Sequence, residues 1–403
     1  MAKKSLAEIE EEIKGLKALN QEVFLDGLGE HLRDFVRHCL EEVIKRELTD
    51  FLGYKPYARG MEKENYRNGH YERGLRTRWG EIEDIGVARD RKGEFESCVL
   101  ERYRRREKRI DQEIQALFIG GISTRKMKKI TKMLLGKGYS AGTISRINKE
   151  LTGEMKEWLS APIDDDIVYL FMDGLNLPVR RFCVSKESVL VVIGIDSAGH
   201  RRILGIQLGG KESATSWREF FKELKARGLK GSKLKLGIMD GLAGLERAFE
   251  ENFPRAKIQR CVVHKLRNIA VKLPRSIQKE CMGECKGIFY AEGIDKAKEY
   301  FSRWKERWEK VAPGAVECLE KDLGAVLQFY EFPREHWVRI RTTNIIERTF
   351  KEFKRRTRQM DSFPNEECCT RCVFLIAKDL NETWNKRKLA KFDEGMRQLL
   401  KAA

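Results

Sequence analysis

Residues 167–173 read "IVYLFMD" and residues 233–240 read "KLKLGIMD". In each stretch apolar residues lead to an aspartate, Asp173 or Asp240, and a glycine follows that aspartate. A run of this kind, bounded by a residue that lets the backbone turn sharply, predicts a buried β-strand. Reactive groups of open α/β sheets collect at the carboxyl ends of strands. We therefore expect Asp173 and Asp240 to end two neighbouring strands at one edge of a sheet.

The segments around these two stretches predict three more strands and two helices. Apolar and alternating patches indicate strands at 188–199, 201–210 and 256–264, whereas amphipathic patterns indicate helices at 213–228 and 244–253. Three strands in succession, followed by helix, strand, helix and strand, is the order of a ribonuclease-H-like fold. The sequence therefore predicts an α/β ribonuclease-H-like catalytic core with a mixed five-stranded sheet.

The remainder of the chain is mainly helical by its periodicity. One exception is the stretch around Gly80, where alternation on both sides predicts a β-hairpin. Three short helical segments between residues 108 and 151, with Ser123 and Ser140 as caps of the second and third, resemble a helix-turn-helix; an ordinary small helical bundle has the same pattern. A linker is expected at 158–166. The predicted regions are an N-terminal helical region suited to oligomerisation (1–50), a basic Gly/Arg-rich region with the hairpin (51–107), a helix-turn-helix-like DNA-binding domain (108–157), the first part of the catalytic core (158–264), an all-helical insertion (265–340), and the C-terminal part of the core with its last helices (341–403).

Bulk composition indicates a nucleic-acid partner. The net charge is +18 and the pI is about 9.4, with local basic clusters such as "RYRRREKR" at 102–109. Such an excess favours binding to phosphate, because neutralised phosphates release counterions. Ten cysteines without a regular framework predict a reducing compartment. We expect a cytoplasmic, nucleoid-associated protein without a membrane span.

Two acids on neighbouring strands repel each other unless cations lie between them, and carboxylate oxygens are ligands that Mg²⁺ prefers. A pair of such ions stabilises the attacking and leaving oxygens in phosphoryl transfer. The alternative for each aspartate is a turn cap bonded to the local backbone. The matching "MDG" contexts of Asp173 and Asp240 favour a metal site, with two Mg²⁺ (or Mn²⁺) ions.

The stretch "RTTNIIERTFKEFKRRTR", residues 341–358, offers a third acid in Glu347. Glu335 and Glu352 are alternative candidates for the third acid, but neither has the same flanking residues. A mainly apolar stripe at helical spacing is expected to pack on the sheet; it comprises Ile346, Phe350, Phe353, Thr357 and Met360. The adjoining face carries Glu347, Lys351, Lys354 and Arg358. A capping box, in which Glu347 returns to the N–H of Asn344, is an alternative role that is compatible with metal binding.

Eight stretches that follow one another over about residues 60–360 are "YRNGHYERGLRTRWGEIEDIGVARDR", "STRKMKKITK", "TISRI", "MDGL", "VLVVIGIDSAGHRRILGIQLG", "ESATSWREFFKELKARGL", "MDGLAGLERAFEENFPRAKIQRCVVHKLRN" and "RTTNIIERTFKEFKRRTR". In this order they resemble the bacterial insertion-sequence transposases of the Mutator type. The resemblance implies an Asp-Asp-Glu triad of Asp173, Asp240 and Glu347, with an all-helical insertion between the second and third acids. The wording "MDGLNLPVR" around the first acid departs from the commoner family pattern, which leaves the subgroup open.

The family also has a Cys-x-x-His motif after the second acid, present here as Cys261 and His264. We expect His264, at the end of the predicted fifth strand, to lie beside the active site, where it touches DNA phosphate or positions a catalytic group. Cys281 and Cys285 would complete four zinc ligands. That agreement is one of spacing alone, and we do not expect zinc to be a cofactor.

The expected function is a DNA transposase that binds the terminal inverted repeats of an insertion sequence and catalyses DNA cleavage and strand transfer. Because two element ends must be paired, we expect a homodimer or a larger complex on double-stranded DNA. The residues expected to contact DNA are Lys351, Lys354, Arg355, Arg358, Arg125, Thr143, Ser145 and Arg146. The alternatives are a catalytically inactive, sequence-specific DNA-binding regulator, which needs no acids, and a stand-alone ribonuclease-H-like nuclease, which hydrolyses DNA without joining it.

Overall fold

The computed structural model describes residues 11, 21–59, 63–120, 122, 124–135, 138–209, 212–358, 361–389, 392, 395–396 and 399. The chain divides into two compact units, Met1–Lys149 and Glu150–Ala403. The boundary between the units falls within one helix, α4.

The first unit begins with a long helix and a β-hairpin. Helix α1 (Gln21–Leu52) precedes strands β1 (Arg67–Thr77) and β2 (Gly80–Asp90), which pair antiparallel. The predicted hairpin is therefore confirmed, and Gly80 supplies the positive φ of 114° at its turn. A small apolar core joins α1 to the hairpin, and its buried members are Ile44, Ile82, Ile85, Val87 and Leu100.

Three helices follow, as the sequence predicts: α2 (Lys108–Ile119), α3 (Thr124–Leu135) and α4 (Ala141–Ser160). Ser140 caps α4, since its Oγ accepts a hydrogen bond from the Thr143 N–H at 3.1 Å. The predicted cap at residue 123 lies outside the described residues. The linker predicted at 158–166 is wrong at its start, because α4 continues to Ser160. The ring of Trp158 lies 5.5 Å from that of Phe374, and this packing extends the helix.

The second unit contains a mixed five-stranded sheet, which confirms the predicted α/β core at this level. Its strands are β3 (Ile167–Arg180), β4 (Val184–Asp196), β5 (Arg201–Gly209), β6 (Leu236–Met239) and β7 (Lys257–Arg260). The order across the sheet is β5-β4-β3-β6-β7. The first three strands pair antiparallel, whereas β6 is parallel to β3 and β7 is parallel to β6.

Several strand boundaries differ from the predictions, among them the ends of β3 and β7. Strand β3 does not end at Asp173 but continues to Arg180, because the following residues alternate and pair with β4 as a long hairpin. Strand β7 ends at Arg260, four residues before the predicted end, and Val262 begins the next helix.

Two helices cover one face of the sheet. Helices α5 (Ala214–Ala226) and α6 (Ala243–Asn252) pack their apolar sides against alternate residues of the central strands. The buried residues of this cluster include Leu170, Met172, Leu190, Val192, Leu204, Trp217, Phe220, Phe221, Leu245 and Phe249. Gly237 of β6 leaves room for the Phe249 ring, which a Cβ at this position would approach to 2.5 Å.

Between β7 and residue 341 the described elements are helices. They are α7 (Val262–Val271), α8 (Arg275–Ile288), α9 (Ile294–Trp308), α10 (Pro313–Glu320), α11 (Leu323–Leu327), a 3₁₀ turn (Gln328–Glu331) and α12 (Arg334–Ile340). Two more helices follow, α13 (Asn344–Thr357) and α14 (Glu366–Asn385).

Helix α13 buries the predicted stripe, since Ile346, Phe350, Phe353 and Thr357 are each at most 8% exposed. The fifth predicted member, Met360, lies outside the described residues. Throughout the described part of the chain, no helix combines the length and the apolar character needed to span a bilayer.

Candidate active site

Two aspartates lie level with each other on adjacent strands. Strands β3 and β6 are parallel, and Phe171 lies opposite Ile238. Asp173 follows Phe171 by two residues, and Asp240 follows Ile238 by two residues. Asp173 is inside β3, where it pairs with Val191 of β4. Asp240 directly follows β6 and is exposed. The structure therefore brings these two carboxylates together, although only Asp240 stands at a strand end.

The environment of Asp173 disfavours its charge. Burial and then the neighbouring Asp240 raise the pKa of Asp173 to about 7, with a smaller contribution from Glu212. The Gly174 N–H, which donates to Asp173 Oδ1 at 2.8 Å, acts in the opposite direction. Asp240 accepts a hydrogen bond from the Leu242 N–H at 3.0 Å. Without a cation, the pair thus holds a proton on Asp173 up to near-neutral pH.

Glu347 stands in the first turn of α13, and its carboxylate has a specific partner. Thr343, the N-cap residue, donates its hydroxyl to Glu347 Oε1 at 3.2 Å. The predicted capping box with Asn344 is wrong, because Asn344 is already helical and its N–H donates to Thr342 Oγ1 at 3.4 Å. The Thr343 N–H donates to Cys261 Sγ at 3.3 Å, so the link between Thr343 and Glu347 is made by the hydroxyl.

Cys261 and His264 lie beside Glu347. His264 is on α7 rather than at the end of a strand, which corrects the predicted position. Its Nε2 lies 3.7 Å from Glu347 Oε1, and the Thr343 hydroxyl also lies 3.2 Å from Cys261 Sγ. Ligand atoms of Cys261, His264 and Glu347 all lie within 4.8 Å of one another. The buried Thr343 is therefore the centre of a polar cluster that holds the third acid.

The cysteine and histidine of this cluster stabilise each other's charged forms. Burial opposes ionisation of the Cys261 thiol, but hydrogen bonds with His264 and Thr343 outweigh it and lower the pKa of the thiol. The bond with Cys261 raises the pKa of His264, and the charges of Glu347 and Asp173 add to this effect. His264 thereby links the third acid electrostatically to the aspartate pair.

Cys281 and Cys285 are placed differently from the four-ligand zinc arrangement. Both are buried on α8, and burial raises the pKa of each thiol. The Cys281 carbonyl accepts a hydrogen bond from Trp304 Nε1 at 3.1 Å. Among the described residues, it is Glu347 that completes the ligand cluster around Cys261 and His264. The structure thus groups the Cys-x-x-His motif with the third acid instead of with these cysteines.

A known protein family matches this chain over most of its length. The profile described as "Transposase, Mutator family" matches residues 8–387. The chain belongs to the Mutator family of transposases. The resemblance read from the sequence is confirmed.

Curated relatives of this Mutator-family chain are transposases of insertion sequence elements. One from Rhizobium meliloti is 36% identical over 354 residues, covering 88% of this chain and 88% of the relative. One from Lactococcus lactis is 32% identical over 365 residues, covering 89% and 91%. One from Staphylococcus aureus is 33% identical over 367 residues, covering 90% and 93%.

Among solved structures, one titled "Drosophila P element transposase strand transfer complex" aligns with a TM-score of 0.31 and 10% identity. The alignment covers 71% of this chain and 81% of that chain. Similarity at this level supports no conclusion about the fold or the function of the Mutator-family protein.

The basic residues predicted to contact DNA differ in their surroundings. Lys351 and Lys354 are exposed on α13, and Arg358 is exposed at the C-cap of that helix. Arg355 is exposed too, but its guanidinium pairs with Glu352 at 2.8 Å. Arg355 therefore already has an acidic partner on its own helix.

The predicted helix-turn-helix residues lie on α3 and α4. Ser145 and Arg146 are exposed in the first half of α4. The Thr143 hydroxyl lies 3.0 Å from Ser140 Oγ, so Thr143 also belongs to the cap. Arg125 is in the first turn of α3, and its side chain lies outside the described part.

Two residues near the acids escape the sequence-based predictions. Thr343 was not singled out, because only the fold places a cap residue of α13 beside Cys261. Glu212 precedes α5 and accepts a hydrogen bond at Oε1 from Trp217 Nε1 at 3.1 Å. Burial and the charge of Asp240 raise the pKa of Glu212. The sequence signal for Glu212 is weak, since a glutamate before a helix N-terminus is common.

Proposed function

We propose that this Mutator-family chain binds the terminal inverted repeats of an insertion sequence and cuts and joins DNA there. In this proposal Asp173, Asp240 and Glu347 are the catalytic acids, and they hold two divalent cations, Mg²⁺ or Mn²⁺. The observation that carries the proposal is the pair formed by Asp173 and Asp240 on adjacent parallel strands. The relatives are named as insertion sequence transposases, which supports the same activity for this chain.

The donor set fits Mg²⁺ or Mn²⁺. Asp173 and Asp240 offer hard carboxylate oxygens, the ligands that such ions prefer. Burial and then the charge of Asp240 raise the pKa of Asp173 to about 7, and a bound cation would oppose both effects. When bound, divalent cations at such carboxylates activate water and neutralise charge on the attacking and leaving oxygens of a phosphodiester.

The other residues of the site orient the third acid and the substrate. Thr343 and His264 hold the Glu347 carboxylate in one direction, and His264 adds positive charge near Asp173. The exposed Lys351, Lys354 and Arg358 on α13 would contact the DNA backbone on either side of the cut. A basic face that starts within one turn of the acid supports this arrangement, because it places phosphate beside the carboxylates.

We infer a ribonuclease-H-like core for the second unit. Three consecutive antiparallel strands, with two parallel strands added beside the first of them, support this inference. Residues 265–340 would then be an all-helical insertion between the second and third acids. Helices α2–α4 would form the DNA-binding domain. Because two element ends must be held together, the working form would be a homodimer or larger, on DNA of the nucleoid in the cytoplasm.

A cleavage experiment tests the proposed function. The protein is incubated with double-stranded DNA that carries the element's inverted repeats and with Mg²⁺, and the cut positions are mapped. Asp240→Asn should abolish cutting, whereas Asp295→Asn, which changes an exposed acid in the first turn of α9, should cut like the parent. Equal cutting by Asp240→Asn would remove the catalytic role of this site. Cutting without joining of the 3′-hydroxyl to target DNA would instead indicate a nuclease.

A further inference from the structure

We propose that Glu212 is a fourth carboxylate of the active site and binds a divalent cation together with Asp240. This inference rests on the proposed function, since it adds a ligand to the site of Asp173, Asp240 and Glu347. No motif in the sequence assigns Glu212 such a role.

Glu212 is held in one orientation by a buried tryptophan. It lies just before α5, and its Oε1 accepts a hydrogen bond from the indole N–H of Trp217 at 3.1 Å. Trp217 is fully buried among the side chains of α5 and the sheet. This hydrogen bond restrains one oxygen of the carboxylate.

The second oxygen lies against the backbone next to Asp173. A Cβ on Gly174 would stand 2.5 Å from Glu212 Oε2 and 2.9 Å from Ser188 Oγ. No side chain other than hydrogen fits at residue 174 while Glu212 occupies this place. Gly174, which follows Asp173, thus makes room for another carboxylate. This explains the glycine of the first "MDG" motif better than a sharp turn does, because β3 continues through Gly174.

A buried hydroxyl without a partner points to the same place. Ser188 is 3% exposed, and its Oγ has no hydrogen-bond partner among the described residues. Buried hydroxyl groups are normally paired, because leaving one unpaired is unfavourable. Ser188 Oγ and Glu212 Oε2 lie 2.9 Å and 2.5 Å from the position that a Gly174 Cβ would take, so a water molecule on a cation held by Glu212 would be close enough to satisfy the hydroxyl.

Glu212 reaches the aspartates from the α5 side of the sheet. Side chains alternate along β3, so Gly174 faces the same side as Met172, which packs with α5 and α6. Asp173 faces the other side, with Tyr169, whose hydroxyl bonds to His336 of α12 at 2.7 Å. Asp240 is the acid close to both sides. Helix α6 begins three residues after Asp240 and starts against α5, since a Cβ on Gly244 would stand 3.1 Å from the backbone nitrogen of Ala214. The charge of Asp240 also contributes to the raised pKa of Asp173 and of Glu212.

A fourth carboxylate would increase the number of protein ligands available to the two ions. Mg²⁺ takes six oxygens and is held in proteins by one or two carboxylates plus water and substrate phosphate. Three acids shared by two ions leave one ion with few protein ligands, and Glu212 with Asp240 gives each ion two carboxylates. The competing explanation is that Glu212 only anchors Trp217. In the first explanation the negative charge of Glu212 binds the cation. In the second explanation the carboxylate serves only as a hydrogen-bond acceptor, and its charge has no role.

The test is Glu212→Gln, whose amide oxygen still accepts the indole N–H and whose charge is lost. Glu219→Gln, an exposed residue of α5, is the matched control. Binding of Mn²⁺ to the metal-free protein is measured by titration calorimetry, together with thermal unfolding and binding to end DNA. We expect Glu212→Gln to bind Mn²⁺ about 10-fold more weakly or worse, to unfold no earlier than the parent without metal, and to bind DNA equally well.

Parental Mn²⁺ affinity in Glu212→Gln would overturn the proposal and leave Glu212 as an anchor for Trp217. If that variant does not fold, Glu212→Asp replaces it, because the shorter side chain keeps the charge but withdraws from Gly174. Weaker Mn²⁺ binding by Glu212→Asp supports the proposal, and unchanged binding opposes it. Asp240→Asn separates this inference from the proposed function. If Asp240→Asn cannot cut DNA while Glu212→Gln binds Mn²⁺ and cuts like the parent, only the fourth carboxylate fails.

Discussion

Replacing Asp240 with asparagine should stabilise the metal-free protein at pH 8. In the parent, Asp173 titrates at about 7 instead of 3.8 because of burial and then the charge of Asp240. The folded state therefore keeps a proton that the unfolded state loses between these values, so stability falls as pH rises from 3.8 towards 7. At 1.36 kcal/mol per pH unit, this loss amounts to about 4 kcal/mol.

Asp240 accounts for part of that loss. Two charges about 5 Å apart on adjacent strands repel by about 3 kcal/mol at an effective dielectric constant of 20 and by about 1 kcal/mol in water. Because Asp240 is exposed, we take about 1–2 kcal/mol. Asp240→Asn keeps an acceptor for the Leu242 N–H, so little is lost in exchange. The variant should gain about 2–8 °C in Tm at pH 8.

The assay is thermal unfolding from pH 4 to pH 9 in a chelator, followed by the same series with Mg²⁺. In Asp240→Asn the pH at which stability falls should move about one pH unit lower, and Mg²⁺ should no longer raise Tm. Asp295→Asn should leave the pH at which stability falls where the parent has it. A lower Tm for metal-free Asp240→Asn at pH 8, or an unchanged pH profile, would refute the reasoning.

Three further predictions concern the third acid, the basic face and the core. Thr343→Val should be less stable by about 1–3 kcal/mol and should cut DNA at least about tenfold more slowly. Thr343→Ser should keep most of the stability and of the cutting rate. If Thr343→Val matched Thr343→Ser in both, a positioning role for the hydroxyl would be excluded. The double variant Lys351→Gln, Lys354→Gln should reduce the slope of log affinity against log salt by about 2, and an unchanged slope would show that these lysines do not meet phosphate. Gly237→Ala should lower the stability by about 1–3 kcal/mol, since the added Cβ would meet the Phe249 ring at 2.5 Å. Gly283→Ala on α8 is the control and should not destabilise the protein, because nothing lies within 4 Å of the added Cβ. Similar denaturant midpoints for the two variants would contradict the packing described.

The sheet was largely predictable from the sequence because β3 and β4 contain long runs of buried apolar residues. Strands β3 to β7 and the helices between them follow from periodicity, and Asp240 follows the apolar run of β6 as expected. The end of β3 was mispredicted because a glycine after Asp173 resembles a turn signal. The alternation that follows, in which Leu175, Leu177 and Val179 are buried, is the pattern that carries the strand onward.

The polar cluster at the third acid could not be predicted from local sequence. Thr343 and Cys261 are 82 residues apart, and only the packing of α13 beside the end of β7 brings them together. The capping box failed for a local reason, since Thr343 rather than Asn344 is the N-cap residue and the Asn344 N–H donates to Thr342 Oγ1 at 3.4 Å. Glu212 also depends on the fold, because its position is fixed by a glycine on a strand and a tryptophan on a helix.

The central claim is that side-chain oxygens from separate parts of the chain share divalent ions. Anomalous diffraction from a crystal soaked in Mn²⁺ tests it most directly. The account predicts peaks about 2.1 Å from carboxylate oxygens of Asp173 and Asp240, with Glu347 facing them. Peaks only at Cys261 and His264, or none near the two aspartates, would contradict it.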